Sequence, residues 1–114
     1  MKSKILALSK NEEFKNLLKQ KKISNKYVTI FFGRLADKDD SKLNISFVTK
    51  KKIGNAVKRN KIRRKLKAIV TKILKIKGAI NRDYTYIVIG KIGSYNEKSK
   101  KLLEEMLRSF QKLN

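Results

Sequence analysis

Hydrophobic residues recur along the chain at two spacings, which predict three helices and three strands. Apolar positions three and four residues apart predict helices at about 10–20, 55–75 and 97–113. Runs rich in β-branched and aromatic residues predict strands at 27–34, 43–49 and 84–89. The polar segment Asp37–Ser41 is typical of a turn, so the two strands that flank it are expected to form a hairpin. The order helix, strand, strand, helix, strand, helix indicates an α/β fold class, with a small mixed sheet and helices in a single domain over residues 1–114.

The long central helix has a well-marked start. The strand pattern stops before Asn55, and asparagine is a favoured N-cap because its side chain accepts a hydrogen bond from a backbone N–H of the first turn. Ile62 and Leu66 then begin the apolar stripe that would face the core. The first helix is marked similarly, since Ser9 and Glu12 have the spacing of a capping box.

Aromatic residues on the first helix and the first strand are candidates for contact with a ligand. Phe31 would lie on the opposite face of its strand from Val28 and Ile30, so we expect its ring to be exposed. Phe14 is the second candidate. An exposed ring can stack an unpaired base, which contributes about 1 to 3 kcal/mol per base. For any single ring, a place in the core remains the competing interpretation.

The chain is strongly basic. It has 31 Lys and Arg against 9 Asp and Glu, a net charge of +22, and residues 41–82 contain fifteen Lys or Arg and no acid. Charges of one sign at this density repel one another within a small fold, and a phosphate backbone supplies the opposite charge. A solvated lysine face explains shorter basic runs but explains this one less well. The composition therefore favours binding of a nucleic acid.

The central helix collects part of this charge on one face. Positions three and four apart are neighbours on a helix, so five polar side chains would share a face opposite the core: Arg59, Asn60, Arg63, Arg64 and Lys67. Arginine is used here although Lys outnumbers Arg by 25 to 6 in the chain. A guanidinium grips a phosphate or a base edge at two points, whereas an ammonium acts as a point charge. Lys50, Lys51 and Lys52 approach the helix N-terminus, where free backbone N–H groups favour an anion.

The composition also excludes several functions. Without Cys or His, the chain has no disulfide, no thiolate or imidazole metal ligand and no catalysis by those side chains. Its nine acids are not paired in the basic region, as a two-metal phosphodiester site would require. No hydrophobic stretch has the length of a signal peptide or of a membrane span, so a cytoplasmic protein is expected.

The segment from residue 51 to residue 64 has a long and specific pattern, Lys-Lys-x-Gly-Asn-Ala-Val-x-Arg-Asn-x-x-Arg-Arg. This pattern resembles the signature of the protein subunit of bacterial ribonuclease P, and the similarity extends from Asn11-Glu12-Glu13-Phe14 to the strand at 84–89. The resemblance implies an α+β sandwich in which the central helix makes a left-handed crossover between parallel strands, contrary to the usual hand. It also implies a subunit of an endoribonuclease in which a catalytic RNA cuts the 5′ leader from precursor tRNA.

The resemblance further implies two sets of site residues. The RNA-binding motif is matched by Lys51, Lys52, Asn55, Arg59, Asn60, Arg63, Arg64 and Lys67. A cleft between the sheet and the first helix would hold the leader, and the residues expected to line it are Phe14, Phe31, Asn44, Ser46, Val48 and Lys50. The implied partners are the catalytic RNA and the leader of precursor tRNA, with no membrane and no required protein partner. Mg²⁺ would be bound with the RNA subunit, and no dedicated protein-only site is expected.

Four positions depart from the family pattern. Lys67 stands where Arg is common, Ala68 where an acid or amide is common, and Lys50 where Ser is common, and these changes would weaken bidentate contacts. Leu18 stands where an aromatic residue is often found, so fewer aromatic side chains would accompany Phe14 in the cleft. The central motif is retained.

Three other functions fit parts of the sequence. A structural RNA-binding protein of the ribosome fits the composition, but the motif from Arg59 to Arg64 argues against it. A DNA-binding regulator would need a helix-turn-helix partner for the central helix, and none is evident. A membrane-surface helix would need the apolar stripe that the core requires.

Overall fold

The computed structural model describes residues 5–6, 11–34 and 43–113, and it has a mixed sheet with helices on both faces. Its elements are β1 (Ile5–Leu6), α1 (Asn11–Leu18), β2 (Lys21–Ser24), β3 (Val28–Gly33), β4 (Leu43–Thr49), a 3₁₀ turn (Lys51–Ile53), α2 (Ala56–Leu74), β5 (Thr85–Gly90), α3 (Gly93–Asn96) and α4 (Ser99–Gln111). The six predicted elements are confirmed within a few residues at each end. The structure adds β1, β2 and the short helix α3. The predicted capping residue Ser9 and the turn at 37–41 lie outside the described residues.

The predicted hairpin between β3 and β4 is wrong. The strand order is β1-β4-β5-β3-β2, so β5 lies between them, parallel to β4 and antiparallel to β3. Apolar residues fill almost every position of β5, which suits a central strand buried on both faces. The actual hairpin joins β2 to β3, and Asn25 closes it by accepting hydrogen bonds from the backbone N–H groups of Tyr27 and Val28 at 2.8 and 2.9 Å.

The main core lies between one face of the sheet and the helices α2 and α4. Alternate residues of β3, β4 and β5 point into it, among them Ile30, Ile45 and Val88, all of them buried. The buried stripe of α2 consists of Ile62, Leu66, Ile69, Val70 and Ile73. This helix packs closely over the end of β5, because a Cβ at Gly90 would lie 2.7 Å from Cγ2 of Ile62. Only glycine therefore allows α2 to approach the sheet so closely.

The opposite face of the sheet is partly covered by α1. Leu17 of α1 and Ile87 of β5 are both buried but do not belong to the main core, and α1 lies across β3 and β5. The register places Phe31, Ile87 and Ser46 side by side on this face, with Thr29, Ile89 and Val48 forming the next row. We call this surface the cleft face. It is the side of the sheet on which the resemblance places the leader.

The helix α2 connects β4 to β5, which are parallel neighbours. This is the crossover that the resemblance implies. Because parallel neighbours end at the same edge of a sheet, the segments that follow β4 and β5 meet there. Lys50 begins one of these segments and Lys91 begins the other.

A hydrogen bond between Tyr27 and Glu97 joins the sheet to the start of α4. The Tyr27 hydroxyl donates to Glu97 Oε2 at 2.9 Å, and this bond holds the pKa of the Glu97 carboxyl below its ordinary value. A carboxyl with a lowered folded-state pKa stabilises the fold at pH values above its ordinary pKa. That contribution is lost as the pH falls through the folded-state pKa. Burial, with Glu97 as a further cause, raises the pKa of Tyr27, so its hydroxyl remains a donor at neutral pH.

We expect the wild-type protein to be more stable than Glu97→Gln at neutral pH, with the gap closing as the solution is acidified to about pH 3. Urea denaturation of both proteins at the two pH values measures the gap. Tyr27→Phe removes the donor and should show the same loss of pH dependence. A gap of equal size at both pH values would place the effect in packing instead of in the titration of Glu97.

Candidate nucleic-acid interface

The start of α2 is built as the sequence predicted. Asn55 is the N-cap, and its Oδ1 accepts a hydrogen bond from the backbone N–H of Lys58 at 2.9 Å. No acid occupies the first turn of α2. The exposed residues Lys51 and Lys52 precede this end in the 3₁₀ turn. The helix dipole and the lysines therefore both make this end positive, which favours an anion.

The predicted polar face of α2 exists, and we call it the arginine face: Arg59, Asn60, Arg63, Arg64 and Lys67. Arg63 is half-buried and held in place, because its Nη1 donates to Thr49 Oγ1 at 2.9 Å and its Nη2 donates to Oδ1 of Asn60. Asn60, Arg64 and Lys67 are exposed. A depression of about 430 Å³ lies among Val57, Asn60, Arg63 and Arg64.

Arg59 occupies the border between the arginine face and the core. Its side chain is half-buried, and its Nε–H is buried and finds no acceptor among the described residues. An unsatisfied buried donor costs stability unless a partner is supplied.

The other flank of α2 carries lysines that serve the fold. The Nζ atoms of Lys58 and Lys61 lie 4.7 and 5.0 Å from the centroid of the Tyr95 ring. Lys65 Nζ donates to the backbone oxygens of Ser94 and Glu97, at 3.1 Å to Ser94. Burial lowers the pKa of Lys65, and the charge of Lys61 acts in the same direction. These lysines fix α2 to α3, so the basic run is not a uniform binding surface.

The cleft face carries the two aromatic candidates and a lysine that the sequence did not indicate. Phe31 lies on this face as predicted, although it is half-buried instead of fully exposed, and Phe14 of α1 is also half-buried. Lys22 Nζ stands 5.8 Å from the centroid of the Phe31 ring. A partly exposed ring next to an ammonium matches an unpaired nucleotide, which has a flat base and a negative phosphate.

The predicted cleft positions of β4 differ in exposure. Asn44 and Ser46 are only 8% and 7% exposed, and both already have partners within the fold. Val48 is half-buried and Lys50 is exposed. The accessible part of this strand is therefore its carboxyl end.

A groove of about 480 Å³ lies at that end, where β4 and β5 finish side by side. It is lined by Thr29, Lys50, Lys52, Ile53, Ile89, Gly90, Lys91 and Ile92. Lys91 was not among the sequence candidates, and its Nζ donates to Ser24 Oγ and to the Asn25 carbonyl, both at 2.7 Å. One feature of the sequence relates Lys91 to Lys52: the tripeptide Lys-Ile-Gly occurs at 52–54 and again at 91–93. The parallel pairing of β4 and β5 brings the two copies to one edge.

Two absences apply to the part of the chain that the structure describes. In residues 5–6, 11–34 and 43–113, no group of three or more acidic, His or Cys residues could hold a metal ion. Over the same ranges, no helix combines the length and the apolar content that crossing a membrane requires.

The chain is a small α/β protein with lysines and arginines on its central helix and lysines where β4 and β5 end side by side. The ribonuclease P family model matches residues 3–114. The chain belongs to the ribonuclease P protein family.

The chain is similar in sequence to proteins named ribonuclease P protein component. The protein of Carboxydothermus hydrogenoformans is 31% identical over 102 residues, which cover 88% of this chain and 84% of that protein. The protein of Mycoplasma mycoides is 34% identical over 81 residues, 71% of this chain and 72% of that protein. These matches span most of both chains.

Solved structures share the fold. The RNase P protein from Thermotoga maritima aligns with a TM-score of 0.76 and 21% identity, covering 96% of this chain and 98% of that one. A Staphylococcus aureus RNase P protein aligns with a TM-score of 0.68 and 26% identity, covering 94% and 93%. The agreement confirms the predicted α/β class.

Proposed function

We propose that this chain is the protein subunit of a ribonuclease P ribonucleoprotein in the cytoplasm, where it helps a catalytic RNA to remove the 5′ leader from precursor tRNA. The observation that carries the proposal is the arginine face, where Arg63 is held by Thr49 and Asn60 while Arg64 stays exposed. A preorganised guanidinium loses little entropy when it binds a phosphate. Family membership supports ribonuclease P RNA as the partner, and the net positive charge gives a physical reason for binding an RNA.

The two surfaces suit two RNA partners. The arginine face and the helix N-terminus suit the folded catalytic RNA, whose backbone phosphates accept bidentate contacts. The cleft face suits the unpaired leader, with Phe31 and Phe14 offering rings and Lys22 and Lys50 offering charge. A leader held in this way lies beside the catalytic RNA, with cations between the two negative backbones.

The chain would act by position and charge. No Cys or His is available as a nucleophile or general base anywhere in the sequence, and residues 41–82 contain no acid to bind a metal. Bond cleavage is therefore assigned to the RNA. Cations placed between two RNAs reduce their mutual repulsion, which lowers the Mg²⁺ concentration that the complex requires.

Reconstitution tests the proposal. The purified chain is mixed with ribonuclease P RNA and precursor tRNA at a low Mg²⁺ concentration, and cleavage of the leader is followed with time. We expect the protein to raise the rate by about tenfold or more, because electrostatic contacts of this kind are strong at low salt. Raising Mg²⁺ should reduce the advantage. Cleavage that is unchanged by the protein at every Mg²⁺ concentration would contradict the proposal.

The identity of the bound RNA gives an independent test. The tagged protein is recovered from cells and its RNA is sequenced. We expect the ribonuclease P RNA and precursor tRNAs to be enriched. Recovery with ribosomal subunits would support the alternative function, a structural protein of the ribosome.

A further inference from the structure

A second groove lies at the opposite end of the sheet from Lys50 and Lys91. Gly33 pairs with Thr85 at this end of β5, whereas Gly90 at the other end lines the first groove. The volume of the second groove is about 630 Å³. Lys19, Lys21, Phe32, Gly33, Arg34 and Tyr84 line it, and we call it the Tyr84 groove.

Aromatic rings and a guanidinium form one wall of the Tyr84 groove. Tyr84 is half-buried, and Phe32 meets it edge-on with ring centroids 5.5 Å apart. Arg34 Cζ stands 5.5 Å from the centroid of the Tyr84 ring. Both guanidinium planes and aromatic faces stack on unpaired bases. The wall therefore presents the surface that a single base requires.

The rest of the groove supplies charge and polar groups. Lys19 and Lys21 are exposed beside Arg34, which gives three cations around one opening. The Gln20 side chain lies against Gly33, and a Cβ at that position would collide with it. An amide at this place offers both a donor and an acceptor to a base edge. The groove thus combines the elements that nucleotide recognition uses.

The groove lies at the end of β3 next to the cleft face, but its rings are on the other face of the sheet, where Phe32 and Tyr84 pack against the main core. Phe31 and Gly33 lie on the same face of β3, two residues apart, with Lys22 beside the Phe31 ring. A single strand that runs past Phe31 would have to pass around the end of β3 at Gly33 to reach those rings. Flat rings fit a base better than they fit an acidic side chain, which has no surface to stack.

We infer that the Tyr84 groove is a further binding site for one unpaired nucleotide of a single-stranded RNA. This inference deepens the proposed function, because it adds a contact for leader nucleotides beyond those near Phe31. The binding itself needs neither the catalytic RNA nor a tRNA. A failure of the reconstitution assay and a failure of the groove can therefore be told apart.

A binding titration with the isolated protein tests the inference. A single-stranded oligouridylate of about ten nucleotides, within the usual range of site sizes, is added while the ring signals of Tyr84 and Phe31 are followed by NMR. Both sets of signals should shift. Arg34→Ala should bind about 5- to 10-fold more weakly, since it removes both a stacking group and a charge.

Two controls keep the result specific. Lys100→Ala removes one exposed charge from α4 and should leave affinity within about twofold, and circular dichroism should show that each variant is folded. Asp37, Asp39 and Asp40 follow Arg34 in the sequence, outside the described residues, so a polyglutamate peptide of equal charge is included as a competitor. Wild-type affinity in Arg34→Ala, or equal competition by the peptide, would overturn the inference.

Discussion

Replacing Arg63 and Arg64 together by alanine is expected to weaken binding of the ribonuclease P RNA by at least about 100-fold, because each removes a charge-assisted contact of about 1.5 to 3 kcal/mol. Arg63 is held by Thr49 and Asn60, and Arg64 is exposed beside it at the same depression. Filter binding at several salt concentrations measures the affinity. The dependence on salt should also become less steep, since fewer phosphates are neutralised.

The matched control is Lys75→Ala with Lys77→Ala. It removes the same charge from exposed positions at and just beyond the C-terminal end of α2. We expect a loss below about tenfold, because these lysines act only through the general field. The single variants Arg64→Ala and Lys75→Ala should rank in the same order. Equal losses in the two double variants would show that the protein binds RNA through a diffuse charge patch.

Phe110→Ala is expected to lower the free energy of unfolding by about 3 to 5 kcal/mol, a large part of the stability of a small domain. The Phe110 side chain is 0% exposed, and its ring meets that of Tyr86 edge-on at 5.3 Å. Removing it leaves a cavity between α4 and the sheet and ends the line of rings that continues through Tyr84 to Phe32. Urea denaturation followed by circular dichroism measures the change.

Val57→Ala is the comparison for this stability measurement. Val57 lies on α2 with 74% of its surface exposed, so its truncation should change the free energy of unfolding by no more than about 0.5 kcal/mol. If Phe110→Ala lowered the free energy of unfolding no more than Val57→Ala does, α4 would not be part of the cooperative core.

The elements of the fold could be predicted because each reflects contacts along a single helix or strand. Asn55 follows the strand pattern and caps the helix that comes next, and in the structure its side chain accepts a hydrogen bond from the backbone N–H of Lys58. The pairing of strands could not be predicted in the same way. Proximity in sequence indicated a hairpin of β3 with β4, whereas β5 enters between them after a helix of 19 residues. A short strand such as β2, half of which is lysine and most of which is exposed, has no apolar pattern that would predict it.

The candidate site was predicted more fully on the helix than on the sheet. Helical spacing put Asn60 and Arg63 on one face, and the hydrogen bond between them agrees with that placement. On the sheet, the resemblance placed Asn44 and Ser46 along the cleft, and the register puts Ser46 beside Ile87 on the cleft face, but nothing in the sequence indicated that both side chains are nearly buried. The position of Lys91 beside Lys50 and Lys52 follows only from the parallel pairing of β4 and β5.

The amino-acid pattern was sufficient to predict a basic chain, six main elements and a row of arginines on one face of the longest helix. It did not predict how the lysines divide, because packing between elements turns Lys58, Lys61 and Lys65 to Tyr95 and α3 and gathers Lys50, Lys52 and Lys91 at one groove. This difference arises because the two kinds of contact span different distances along the sequence. Periodicity records which side chains share an element, whereas burial and partners depend on packing between elements distant in sequence.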